Sequence, residues 1–141
     1  MNKIDSTPMD SISIQIPSLT ENIRIIESFI DNAKEKYQLD DDIYGNIMIA
    51  VTESVNNAIV HGNKNVADKN VSLSLVLQES SIKFIIQDEG GGFNYEKLPD
   101  PTAPDNVDKP SGRGIFLMKH LSDEVEFKDY GRIVELTFYM A

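Results

Sequence analysis

The sequence predicts an α+β fold: a two-layer sandwich whose mixed, mostly antiparallel sheet is covered on one face by helices, in one domain spanning 1–141. Three observations lead there. Strictly alternating apolar stretches mark five strands, and two helical periodicities separate the first strand from the rest. Short polar links join neighbouring strands as hairpins, which places the fold among antiparallel sandwiches instead of doubly wound sheets. A length of 141 residues suits a single domain, and no internal repeat is visible.

Residues 1–10 are polar and are expected to be loose. From Ser11, the run SISIQI puts Ile12, Ile14 and Ile16 on one face of a strand that Pro17 stops. Ser18 and Glu21 have the spacing of a capping box, with Ser18 as N-cap. The helix that follows is expected to reach about Lys36, with Ile23, Ile26, Ile30 and Ala33 on its buried stripe. Asp40, Asp41 and Asp42 suit a second helix N-terminus, where free N–H groups favour negative charge. That helix is read from about Asp41 to Val60, packing through Ile43, Ile47, Ala50, Val51, Ser54, Val55 and Ala58. HGNKNVADKN then makes a turn.

VSLSLVL and SIKFIIQD alternate across the short Glu79-Ser80 link and read as a hairpin, with Val71, Leu73, Leu75 and Leu77 inward on one strand and Ile82, Phe84 and Ile86 inward on the other. Residues 90–111 hold three consecutive glycines and Pro99, Pro101, Pro104 and Pro110. A loop this long inside a compact domain is a candidate lid. A short helix from about Gly114 to Leu121 follows, then the strands EVEFKD and RIVELTFYM, joined at Tyr130-Gly131.

Composition excludes several classes. There is no cysteine, hence no disulfide or thiol chemistry, and two histidines far apart argue against structural zinc. A net charge of −10 offers no basic stripe for nucleic acid. No apolar run approaches the ~20 residues of a membrane span. The first residues lack the charged start and apolar core of a secretion signal, so a cytoplasmic protein is expected.

Three short constellations can carry chemistry. Glu53 and Asn57 are four apart on a helix and project to the same side. Such a pair can activate a hydroxyl and hold Mg²⁺ through the amide oxygen; the same spacing also suits a solvent-facing polar strip. Asp88-Glu89-Gly90-Gly91-Gly92 follows a strand directly, so Asp88 can accept from a ligand amino group while the glycines permit close approach, or the segment is a flexible turn. Ser111-Gly112-Arg113-Gly114 opens a helix. Its exposed N–H groups can seat phosphate, with Arg113 as counter-charge, or Ser111 simply caps the helix. His61 can line the same site or be structural beside Gly62. Lys97 and Lys109 lie in the candidate lid. No GxxxxGK[ST] phosphate loop occurs.

Taken in this order, these segments resemble the GHKL (Bergerat-fold) ATPase superfamily, with its histidine kinase-like ATPase domain, and above all its small anti-sigma factor serine/threonine kinases, the SpoIIAB and RsbW group. The resemblance covers about residues 12–140. It implies that Glu53 is the general base and that Asn57 contacts the cofactor and holds Mg²⁺. It implies that Asp88 receives the adenine amino group, with Gly90 and Gly92 shaping the base pocket, and that Gly112, Arg113 and Gly114 meet the polyphosphate. Residues 93–111 would be the ATP lid. The tripled glycine Gly90-Gly91-Gly92 preserves the two framework glycines, with Gly91 between them. There is no room for a phosphoacceptor-histidine dimerisation domain or a transmembrane sensor.

The activity so implied is a Mg²⁺- and ATP-dependent protein serine kinase. It would phosphorylate a small STAS-type antagonist protein and sequester a regulatory partner, which in that group is a sigma factor. A homodimer is part of the same expectation. Two alternatives stand beside it: an ATP-dependent protein-binding switch without turnover, and a nucleotide-free regulatory domain.

Overall fold

A computed structural model of the chain describes residues 8–91 and 112–140. Five strands and three helices alternate as the hydrophobic pattern requires. β1 (Asp10–Pro17), α1 (Ile23–Tyr37), α2 (Asp41–Asn57), β2 (Asn70–Leu77), β3 (Ser81–Gln87), α3 (Gly112–Leu121), β4 (Glu124–Lys128) and β5 (Ile133–Tyr139) follow in order. The strands form one sheet in the order β1-β2-β3-β5-β4. All four pairings are antiparallel, so the sheet is uniform where a mixed one was expected.

Alternation decides which face is buried, because successive side chains point to opposite sides of a strand. Val71, Leu73 and Leu75 of β2, Ile82, Phe84 and Ile86 of β3, and Val134, Leu136 and Phe138 of β5 are all buried. They meet Ile26, Ile30 and Ala33 of α1 and Ile47, Ala50, Val51 and Val55 of α2. The expected stripes are thus the observed ones, with Ile23 and Leu77 packed at the rim. Phe84 and Phe138 sit edge to face with centroids 6.1 Å apart. Burying each such side chain contributes about 1.5–3 kcal/mol. The opposite face is polar: Ser13 and Ser74 hydroxyls lie 2.8 Å apart, and Lys83 and Lys128 both reach Glu135.

The helix ends depart from the sequence reading in two places. Ser18 does not cap α1. A 3-10 turn, Thr20–Asn22, precedes that helix without a side-chain cap, and the fully buried Ser18 hydroxyl instead donates to Lys69 O at 2.6 Å. The hydroxyl thereby joins the Ser18 N–H, which donates to the same Lys69 O at 3.1 Å. Nor does α2 run on to Val60 as an α-helix. Asp40 caps its start through Ile43 N–H, but beyond Asn57 the backbone widens into a π-helical turn, Ala58–Gly62, closed by Asn63 N–H donating to Ala58 O. Single π turns are often found where a helix borders a functional site. No helix among the described residues is long and apolar enough to cross a membrane.

Candidate functional site

The C-terminal half of α2, the end of β3, the start of α3 and the β4–β5 turn converge on one pocket. Its polar side chains are Ser54, Asn57, Asp88 and Arg132, and its apolar wall includes Ile86, Ile115, Met118 and Val134. An apolar cleft with a few convergent polar groups is the usual form of a small-molecule site.

Asp88 sits at the end of β3 and is only 6% exposed. Burial pushes its carboxyl above the ordinary carboxylate range, an effect partly offset by the Gly90 N–H, which donates to Asp88 Oδ1 at 2.8 Å, and by the nearby Arg132 charge. The backbone around it is pressed tight. A Cβ on Gly62 would lie 2.5 Å from the Asp88 carboxylate, and one on Gly90 would lie 1.7 Å from Gly62 O. Gly90 is therefore demanded by close backbone approach, and Gly62 by the room Asp88 needs.

On the other side of the pocket, Glu53 and Asn57 both face the start of α3. A Cβ on Gly114 would sit 3.0 Å from Glu53 Oε1 and 3.6 Å from Asn57 Nδ2. Glu53, Asn57 and Gly114 are thus together, and Asn57 shares the pocket with Asp88. The Asn57 amide nitrogen is buried without a hydrogen-bond partner among the described residues. The pair is not the solvent-facing strip that its spacing also allowed. Gly112 and Arg113 belong to the first turn of α3. The side chain of Arg113, Gly92 and the lid 93–111 with Lys97 and Lys109 lie outside the described residues. His61 falls in the π turn, beside Gly62.

The chemistry of the donors fits a Mg²⁺ ion held mainly by a ligand's own oxygens. Among the described residues no group of three His, Cys, Asp or Glu could hold a metal alone. Mg²⁺ is commonly bound by one or two side-chain oxygens plus phosphates and water, and Glu53 and Asn57 offer such oxygens.

Two positioning groups escaped the sequence reading. Asn63, fully buried, accepts from Glu89 N–H at 2.7 Å and donates to Ser18 Oγ at 2.7 Å and Asn70 O at 3.0 Å. Arg132 donates from Nε to Gly90 O at 2.7 Å and is itself held by Asp129. Its own carbonyl accepts from Asp88 N–H at 2.9 Å. The Asp88–Gly90 segment is thereby clamped from both sides. The β4–β5 turn that delivers Arg132 runs through the left-handed region at Asp129, Tyr130 and Gly131, the last with φ 85°. Gly131 was legible as a turn residue; nothing local marked Arg132 or Asn63.

The chain is similar to known proteins. The profile of the histidine kinase-like ATPase domain matches residues 16–138. The serine-protein kinases RsbW of Staphylococcus aureus strains JH9 and Newman are 30% identical over 141 residues, a match covering 93% of this chain and 87% of theirs. A crystal structure of the RsbU and RsbW domains of a Mycobacterium tuberculosis protein superposes with a TM-score of 0.66 at 15% identity, over 95% of this chain. The chain spans only 33% of that neighbour, whose likeness bears on the fold alone. The chain belongs to the histidine kinase-like ATPase family, in the group of the RsbW anti-sigma factor serine kinases.

Proposed function

We propose that the protein binds ATP with Mg²⁺, transfers the γ-phosphoryl group to a serine of a small STAS-type antagonist protein, and sequesters a regulatory partner, a sigma factor by analogy with its group. The observation that carries this reading is the cleft lined by both buried Asp88 and Asn57, with Glu53 and Asn57 both set against Gly114 at its side. Asp88, whose buried carboxyl lines a largely apolar cleft, suits the adenine amino group. Asn57 and the first turn of α3 suit the phosphates, since helix N–H groups favour anions. Mg²⁺, when bound, would neutralise charge building on the phosphate oxygens.

Glu53 is the half-buried carboxylate at the phosphate end, placed to take the proton from an incoming serine hydroxyl. In Glu53→Gln, ATP binding measured by calorimetry should stay within about threefold. Label transfer from γ-labelled ATP to the antagonist should fall by about 10²-fold or more, the range of general-base removal. Undiminished transfer would remove Glu53 from the mechanism. An absence of saturable ATP binding by the unaltered protein would favour the nucleotide-free reading. Binding without transfer to any STAS-type protein would favour the switch. Assembly as a homodimer belongs to the same proposal and is read by light scattering.

A further inference from the structure

Ser54 lies one helical turn before Ala58 and three residues before Asn57, on the face of α2 that lines the pocket. The residue is 2% exposed, and its hydroxyl has no hydrogen-bond partner among the described residues. This is not enforced by the helix. Two residues earlier, Thr52 bonds back to Met48 O at 2.6 Å, the usual escape for a helical hydroxyl. A buried hydroxyl left without a partner asks for an explanation.

Of the pocket's other polar side chains, Arg132 already holds Gly90 and Asp129, and Asn57, whose amide nitrogen is also unpartnered among the described residues, stands with Glu53 at the Gly114 end. That leaves Asp88 and Ser54 to face the ligand's base. We propose that the Ser54 hydroxyl is a second reader of the purine, donating a hydrogen bond, directly or through one water, to N1, the ring nitrogen next to the amino-bearing carbon that Asp88 addresses. The proposal rests on the ATP reading above.

The chemistry is complementary. An ionised carboxylate only accepts, whereas a hydroxyl donates. The edge of adenine presents a donor amino group between acceptor nitrogens. Guanine and hypoxanthine present the reverse at the same positions, an acceptor oxygen beside a ring N–H. An acceptor–donor pair on the protein therefore selects adenine, and a site that leaves buried polar groups unmatched rejects the wrong ligand strongly.

The test titrates ATP, 1-deaza-ATP, 7-deaza-ATP and GTP into the unaltered protein and Ser54→Ala, with thermal melts of both in the absence of nucleotide. Loss of one neutral hydrogen bond should weaken ATP roughly three- to tenfold. The analogue 1-deaza-ATP, lacking the nitrogen that Ser54 reads, should bind both proteins equally, while 7-deaza-ATP should keep the difference. The melting temperature of the variant should be no lower than that of the parent, because the deleted hydroxyl had no partner. Equal ATP affinity in both proteins would overturn the proposal while leaving ATP binding intact. So would a Ser54→Ala penalty that persists with 1-deaza-ATP, or a variant melting several degrees lower, which would mean an internal partner. Failure of the unaltered protein to bind ATP would overturn this proposal and the reading beneath it together.

Discussion

Replacing Gly90 by alanine puts the architecture of the site to its sharpest trial. The new methyl would lie 1.7 Å from Gly62 O, about 1.3 Å inside the 3.0 Å limit that real Cβ contacts respect. The obstacle is a backbone carbonyl, so no side-chain rotation relieves it and the loop itself must move. Moving it strains three hydrogen bonds: Gly90 N–H to Asp88, Arg132 Nε–H to Gly90 O, and Glu89 N–H to Asn63 Oδ1. At about 1 kcal/mol net for each, the loss is roughly 2–3 kcal/mol, or on the order of 10 °C in melting temperature for a chain of this size. Gly91 is the internal control. Nothing lies within 4 Å of the position its Cβ would take, so Gly91→Ala should stay within about 0.5 kcal/mol of the parent. Differential scanning calorimetry of the three proteins measures the stabilities, and ATP titration measures the site, where Gly90→Ala should lose at least about tenfold in affinity through displaced Asp88. A Gly90→Ala protein that melts and binds like Gly91→Ala would refute the claim that Gly62 and Gly90 are in enforced backbone contact.

Three other perturbations have equally definite outcomes. Gly45 lies inside α2 with nothing within 4 Å of its would-be Cβ, so Gly45→Ala should stabilise by about 0.5–1 kcal/mol through helix propensity, and a lowered melting temperature would contradict the open space there. Asn63→Ala deletes a fully buried side chain that makes three hydrogen bonds; unfolding in urea should show a loss of about 2–4 kcal/mol, and a loss under 1 would mean the hub is dispensable. Burial raises the Asp88 pKa, so the stability linked to its protonated form is fully present below the unfolded-state value of 3.8 and lost as pH rises through the folded-state value. Asp88→Asn should therefore melt higher than the parent at neutral pH without ligand, with the gap narrowing as pH falls toward 4 on the model-compound scale; a gap that widens instead would reverse the sign of the assignment.

How far the sequence carries depends on the range of the interaction. Alternation and helical period are local, and they located every strand and the buried stripes of α1 and α2 to within a residue or two. The Glu53–Asn57 pair was legible for the same reason, being a single turn of one helix, and its neighbour Gly114 came into view through the ordered motifs. Ser18 shows where local reading fails. Its spacing to Glu21 matches a cap, yet its hydroxyl serves Lys69 and the Asn63 amide, partners 51 and 45 residues away. Arg132 is likewise an ordinary basic residue after a turn until the fold brings Gly90 O, 42 residues distant, to its Nε. The π turn after Asn57 was invisible because its residues, AIVHG, have no composition that distinguishes five-residue from four-residue hydrogen bonding. In each case the competing signal was tertiary, and tertiary contacts leave no spacing in the chain.

These misses share a direction: the groups that hold the site are satisfied, and the groups that face the pocket are not. Asn63, Arg132 and Ser18 have their hydrogen bonds in the free protein. Ser54 Oγ and Asn57 Nδ2 have none among the described residues, and Asp88 carries the burden of its burial. Unsatisfied buried groups destabilise a fold by about 1–3 kcal/mol each, so a pocket that gathers several holds the free protein below the stability its core could support. That is the trade expected of a site shaped for a ligand, because a molecule supplying the missing partners regains this free energy on binding and nowhere else. Filling the pocket with apolar substitutions at Ser54 and Asp88 together should then give a more heat-stable protein that no longer responds to ATP in a melting experiment. A double variant whose melting temperature still climbs with ATP would place the nucleotide elsewhere on the molecule.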